Sequence, residues 1–229
     1  MTTPKPEPRR ERLRAAWHAV RGRWAAVLAT PRGRIEVGAS LLATVAVLLA
    51  EGSFLPYIEA RPGAVLSDPV LAHLPPVPLD WLIFPLTYGP LLAWLTVAAL
   101  QPQRLAAGLQ SYIGMVLFRI AALYLTPLEA PLGVIPLRDP VVELSTGGQV
   151  VVKDLFFSGH LGTASVVAFN LPPGPLRRLV WLDAAVLAGA LLVHRAHYTV
   201  DVLAAPVFAY CATRIAHALH RKLSGGSAR

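Results

Sequence analysis

Two segments of this chain carry side chains suited to chemistry: Asp154-Leu155-Phe156-Phe157-Ser158-Gly159-His160, and His197-Tyr198-Thr199-Val200-Asp201. An imidazole that attacks, an acid that orients it and a second group that moves a proton form a minimal kit for phosphoryl transfer. His197 and Asp201 are four residues apart, so on a helix they share a face. The carboxylate then takes a proton from one ring nitrogen and leaves the other free. Gly159 would let backbone approach a phosphate, with the Ser158 hydroxyl and neighbouring amides donating at a helix start, where the dipole favours an anion. Asp154 is expected to cap that helix rather than to hold a second basic group.

These residues need elements to position them, and the composition says in what medium. The chain has 229 residues, 55% hydrophobic and only 15% charged, with a mean hydropathy of +0.52. That balance places it in a bilayer. Against a yardstick of roughly 20 apolar residues per helix, six spans are expected: Val37 to Leu55, Trp81 to Leu100, Leu105 to Leu125, Leu155 to Leu171, Leu179 to Val193 and Tyr198 to His217. The fourth and fifth are short, which neighbouring helices can accommodate. The predicted fold is therefore all-α, a polytopic six-transmembrane-helix bundle over residues 35–220. A basic amphipathic segment (1–34) precedes it and a short tail (221–229) follows. In the first segment Leu13, Trp17, Val20, Trp24 and Val27 recur at helical spacing among arginines, as in a helix lying on anionic headgroups. A cleaved organelle leader shares the arginine-rich character, but Glu7 and Glu11 argue against one.

Lysine and arginine set the orientation, because basic residues in short loops stay in the cytoplasm. With both termini inside, sixteen of the 21 basic residues fall on that side. His160, His197 and Asp201 then all meet the opposite, non-cytoplasmic face. Arg119 is the only charged residue between Leu105 and Leu125, and a guanidinium in a span is costly. At 1.5 Å per residue it lies about 21 Å from the cytoplasmic end, near the level of the histidines. Its planar fork suits phosphate oxygens, so it is expected to grip the phosphoryl group; the alternative is a structural carboxylate partner.

Asp154-x3-Ser158-Gly159-His160 and His197-Tyr198-Thr199-x-Asp201 resemble the third and fourth signature motifs of the sphingomyelin synthases, within the wider type 2 phosphatidic acid phosphatase superfamily. Arg119-x6-Thr126 is similar to the end of that family's second motif, and Pro75-Pro76-Val77-Pro78-Leu79-Asp80 to its proline-rich one. The resemblance runs from about Pro75 to Val202. It departs at Val152-Lys153, where the synthases have Cys-Gly, and at Leu161, where they have Thr; the arginine pair and tyrosine opening their second motif are missing. The phosphatase pattern fits less well, since Phe54 stands seven positions before Arg61-Pro62 and Arg195 only two before His197.

The resemblance implies a membrane phosphotransferase that moves a phospho-head group from a phospholipid to a lipid alcohol such as ceramide or diacylglycerol. His197 would be the nucleophile, passing through a phosphohistidine-like intermediate, and His160 the acid and then the base. Asp201 would orient His197, with Tyr198 near the substrate. Hydrolysis of phosphatidic acid-type lipids is the alternative activity, and a non-enzymatic membrane scaffold is the alternative from another class. No cofactor or metal is expected: Cys211 has no partner for a disulfide or metal site, no nucleotide-binding glycine pattern occurs, and a bis-histidine haem fits Asp201 and Ser158-Gly159 poorly. The net charge of +8 follows from membrane sidedness, so nucleic acid is not an expected partner. The partners are lipids, and the oligomeric state is open. An alanine-, leucine- and arginine-rich composition points to a bacterial inner membrane. Between Pro127 and Lys153, Val141–Leu144 and Gln149–Val152 around Gly147-Gly148 are expected to pair as a short hairpin overhanging the site. His18, His73, His194, His217 and His220 have no motif around them and no expected role.

Overall fold

The computed structural model describes residues 9–225, and nearly all of its regular structure is helical. Its elements are α1 (Arg9–Ala29), α2 (Pro31–Ala60), α3 (Pro69–Ala72), α4 (Asp80–Leu100), a 3₁₀ turn (Pro102–Arg104), α5 (Leu105–Leu125), α6 (Pro140–Ser145), α7 (Gly159–Asn170), α8 (Pro175–Val193) and α9 (Thr199–Gly225). No strand forms among the described residues, and Ala64 and Leu128 make an isolated bridge. The expected hairpin is therefore corrected. Asp139 caps α6 by accepting from the amides of Val141 and Val142, with Pro140 at the first helical position. An acceptor followed by proline is a helix start, and it overrides the strand propensity of the valines.

Four helices are long and apolar enough to cross a membrane: Pro31–Ala60, Asp80–Leu100, Pro102–Leu125 and Thr199–Lys222. The bundle presents apolar side chains outward as well as inward. Leu42 and Leu49 on α2, Leu92 on α4, Leu203 and Val207 on α9 are all more than half exposed, as expected where lipid is the solvent. The expected fourth and fifth spans form helices too, but differ from the other four. Residues 155–158 are not helical, so α7 has only 12 residues, about 18 Å.

Packing explains why so short a helix is stable. Eight of its residues are buried, among them Gly162, Ala164, Ser165 and Ala168, and α4, α5, α8 and α9 all pack on it. Small side chains let those neighbours close in. On α9, Ala205, Ala209, Ala212 and Ala216 form a matching buried stripe. α5 packs mainly on α9 and α2. The starts of α4, α7 and α9 and the ends of α2 and α5 thus share one end of the bundle, roofed by residues 61–79 and 126–158.

Hydrogen bonds fasten that roof. Asp68 caps α3 through the amides of Val70 and Leu71, and also accepts from the Thr199 amide at 2.7 Å and hydroxyl at 3.0 Å. One carboxylate therefore serves two helix starts. Arg195, at φ +60°, donates to the carbonyls of Leu71 and Leu74 at 2.9 and 2.8 Å and to that of Leu132. Glu59 accepts from the amides of Val152 and Lys153 at 3.0 and 2.9 Å, and the Lys153 ammonium pairs with Glu129 at 2.9 Å.

Candidate functional site

His160 sits in the first turn of α7, and His197 lies two residues before α9. One backbone hydrogen bond joins these two starts: the Ser158 amide donates to the Asp201 carbonyl at 3.2 Å. Phe157 stacks on Phe208 of α9 with centroids 4.4 Å apart, reinforcing the junction. Both imidazoles line one small chamber of about 30 Å³ with Asp139, Asp154 and Ala196, roofed by Val134, Ile135, Leu137, Val151 and Val152.

Each imidazole has a carboxylate beside it. His160 Nε2 is 3.0 Å from Asp139 Oδ2, and the Tyr88 hydroxyl donates to the same carboxylate at 2.6 and 2.8 Å. Burial pushes the Asp139 carboxyl up, but the bonds from His160 and Tyr88, with the cap amides, outweigh it and hold it at about 2. It is therefore an anion wherever the protein is folded at ordinary pH, and it fixes the His160 ring. His197 Nδ1 lies 3.5 Å from Asp201 Oδ2, while that oxygen accepts from the Tyr198 amide at 2.9 Å. His197 Nδ1 and Asp201 Oδ1 are buried without a hydrogen-bond partner. Orphaned buried polar atoms are costly, and a small ring movement would join this pair. The pairing is not the shared helix face that the spacing predicts, because the helix begins only at Thr199; Asp201 reaches back from the first turn.

A second cavity of about 400 Å³ also reaches His160 and Asp139, and lies between α2, α4, α5, α6 and α7. Its end near the histidines is polar, with Glu51, Tyr88, Tyr112, Arg119, Asp154 and Thr163. Its far end is apolar, with Leu48, Leu91, Trp94, Leu95, Leu109 and Val167.

Arg119 borders this cavity, yet each of its three nitrogens has a protein acceptor. Nε is 2.8 Å from Glu51, and the other two meet the Asp154 carboxylate and the Phe157 carbonyl. Only 4% of the side chain is exposed. Two carboxylates and a carbonyl already hold the guanidinium, so the geometry is that of a clasp between α2, α5 and the segment before α7. Gly159 belongs to the same clasp: a β-carbon there would stand 3.0 Å from the guanidinium carbon, so its lack of a side chain admits Arg119 rather than a phosphate.

Three further expectations are corrected by position. Asp154 does not cap α7; Ser158 does, its hydroxyl accepting from the Leu161 amide at 3.4 Å, and Asp154 holds Arg119 instead. Ser158 is fully buried and borders neither cavity. Tyr198 is 1% exposed; its hydroxyl donates to the Glu129 carbonyl at 3.0 Å and accepts from the Leu66 amide at 3.2 Å, which makes it part of the roof.

Sequence reasoning missed Asp139, Tyr88 and Glu51. Asp139 had a signal in the Asp-Pro pair that opens a helix. Glu51 had one as the only acid between Val37 and Leu55, the natural complement of a lone arginine in another span. Of the histidines without a motif, His194 is fully buried and its Nδ1 accepts from the Leu79 amide at 2.9 Å, while His217 and His220 bond Asn170 and Glu36 at the other end of the bundle. No known family model matches the sequence, and no curated protein matches it.

Proposed function

We propose that this chain is an integral-membrane enzyme that moves a phosphorylated head group from one lipid to a lipid alcohol, through a covalent bond to His197. The observation that carries the reading is the pair of imidazoles facing one chamber, each beside its own carboxylate. A carboxylate at Nδ1 leaves Nε2 of His197 as the attacking atom. Nε2 forms a bond to phosphorus as the bond from phosphorus to the departing lipid oxygen breaks. That oxygen keeps the electron pair and takes a proton from His160. The acceptor hydroxyl then gives its proton to His160, attacks phosphorus and breaks the P–N bond, which restores both histidines. Asp139 and Asp201 hold the rings in place, and the Arg119 clasp fixes the segment that presents His160.

The adjoining cavity supports a lipid substrate, since it is polar only where it meets the histidines. The chamber between the rings is smaller than a tetrahedral phosphoryl group, so in this reading the roof at Val134–Leu137 lifts when the head group enters. Hydrolysis is the second reading, in which the same two histidines act with water as the acceptor.

Six spans are part of the proposal. The outer faces of α8 at Leu179 and Leu182 are 61% and 63% exposed and apolar, and α7 beside it is enclosed by four helices. The count of basic residues supports cytoplasmic termini, a site on the non-cytoplasmic face, and α1 lying on the inner leaflet of a bacterial inner membrane. Purified protein incubated with phosphatidylcholine, with and without ceramide, tests the activity. Ceramide-dependent transfer of the head group supports the first reading, release of choline phosphate without ceramide replaces it with hydrolysis, and inorganic phosphate from phosphatidic acid selects a phosphatase. No turnover of any of these lipids overturns both.

A further inference from the structure

The large cavity has a definite floor. It runs along the bundle from Arg119, Glu51 and His160 to Thr44, Leu95, Gly108 and Val167. Gly108 and Arg119 are eleven residues apart on α5, about 16 Å along the axis. At the floor the Trp94 indole lies directly over Gly108: a β-carbon at that position would stand 2.2 Å from Cζ2. The indole belongs to a buried apolar cluster with Ala98, Ala168, Leu171 and Val180, none of which lines the cavity. The side of the cavity is different. α2 packs on α5 while α4 packs on α7 and α8, with little contact between α2 and α4. Leu95, a wall residue at that gap, is 43% exposed on the surface that faces lipid.

We infer that this cavity holds one acyl chain of a bilayer lipid, admitted sideways between α2 and α4, and that Trp94 seated on Gly108 is the stop that sets the chain length accepted. The occupant follows from the surroundings: an apolar tube opening onto hydrocarbon and ending in polar groups matches a chain with a polar head. The chain runs from the head group beside His160 down to the indole. Its length selection rests on the lipid-enzyme reading only for its consequence in turnover. A stop of this kind discriminates because one methylene in a fitted apolar pocket changes selection by about tenfold or more.

Two substitutions move the floor in opposite directions. Trp94→Ala deepens the tube, and Gly108→Ala pushes the indole into it. The test uses the full chain purified in detergent, with mass spectrometry of the phospholipids it retains, and then head-group loss in ceramide-containing nanodiscs from dilauroyl, dipalmitoyl and distearoyl phosphatidylcholine. The expected result is retained chains that lengthen in Trp94→Ala and shorten in Gly108→Ala, with the turnover preference following by about tenfold. A wild-type chain profile in both variants, or a wild-type protein that retains no phospholipid, overturns the inference. Retained chains that shift with the floor while no phosphatidylcholine is turned over leave the stop standing and count against the proposed activity alone.

Discussion

His197 and Arg119 separate chemistry from architecture at the residue scale. Replacing His197 by Ala removes the proposed attacking nitrogen, so lipid turnover is expected to fall by roughly a thousandfold or more with membrane insertion intact; lipid turnover beside a membrane-fractionation blot checks it. Arg119→Ala leaves Glu51 and Asp154 facing each other without a cation, and breaking a buried pair costs about 3–5 kcal/mol. A lowered thermal midpoint in detergent is the expected result, whereas a raised KM with unchanged stability would identify a phosphate grip. Asp139 makes a pH prediction. Its carboxyl is held at about 2 against an ordinary 3.8, so its ionised form contributes roughly 2 kcal/mol of stability. For a depressed carboxyl that contribution is complete above the unfolded value and is lost as pH falls toward 2. The midpoint difference between wild type and Asp139→Asn should therefore be largest near neutrality and close steadily below pH ~4. The two histidine motifs were legible because polar residues at the end of an apolar run stand out. Asp139 was not, because it reaches His160 from a loop whose fold depends on contacts 21 residues away in sequence.

The elements that matter most for positioning are the starts of α7 and α9 and the roof over them. Asp68 caps α3 and α9 together, and its hydrogen bonds from Thr199 and the α3 amides outweigh burial and hold its carboxyl below the usual range. Asp68→Ala is expected to cost about 1 kcal/mol in capping and to lower turnover by loosening the turn that carries His197; hydrogen exchange at the Thr199–Val202 amides should rise selectively. Gly159→Ala is a companion at the other start, where the added methyl displaces the guanidinium and should cost about 1–3 kcal/mol by thermal unfolding. Helix existence was readable from apolar runs bounded by proline, glycine and charge, and α5 has the predicted limits, Leu105–Leu125. The start of α7 was not, since Leu155-Phe156-Phe157 is as apolar as a span but is not helical where it passes Arg119 and meets α9. The hairpin failed for a local reason, because the cap at Asp139 outcompeted the valines.

At the scale of the whole molecule the exposed leucines of α2, α4, α8 and α9 make water an unsuitable solvent for the bundle, and the count of basic residues is the support for the proposed direction. Gln149, exposed beyond α6 on the histidine side, tests that direction. A Gln149→Cys variant, made with Cys211→Ser because Cys211 is itself exposed, should react with an impermeant thiol reagent from outside intact cells; protection would invert the topology. Composition pointed to the medium, and four helices are long and apolar enough to cross a membrane, while the cavity between α2 and α4 had no signature in the sequence, because it depends on which helices fail to touch. The most direct measurement of the account is mass spectrometry of the protein after a rapid quench during turnover of phospholipid. It predicts a phosphoramidate on His197 that disappears when a lipid alcohol or water completes the cycle and never forms in His197→Ala. Turnover that continues in that variant, or label that settles on no histidine, contradicts it.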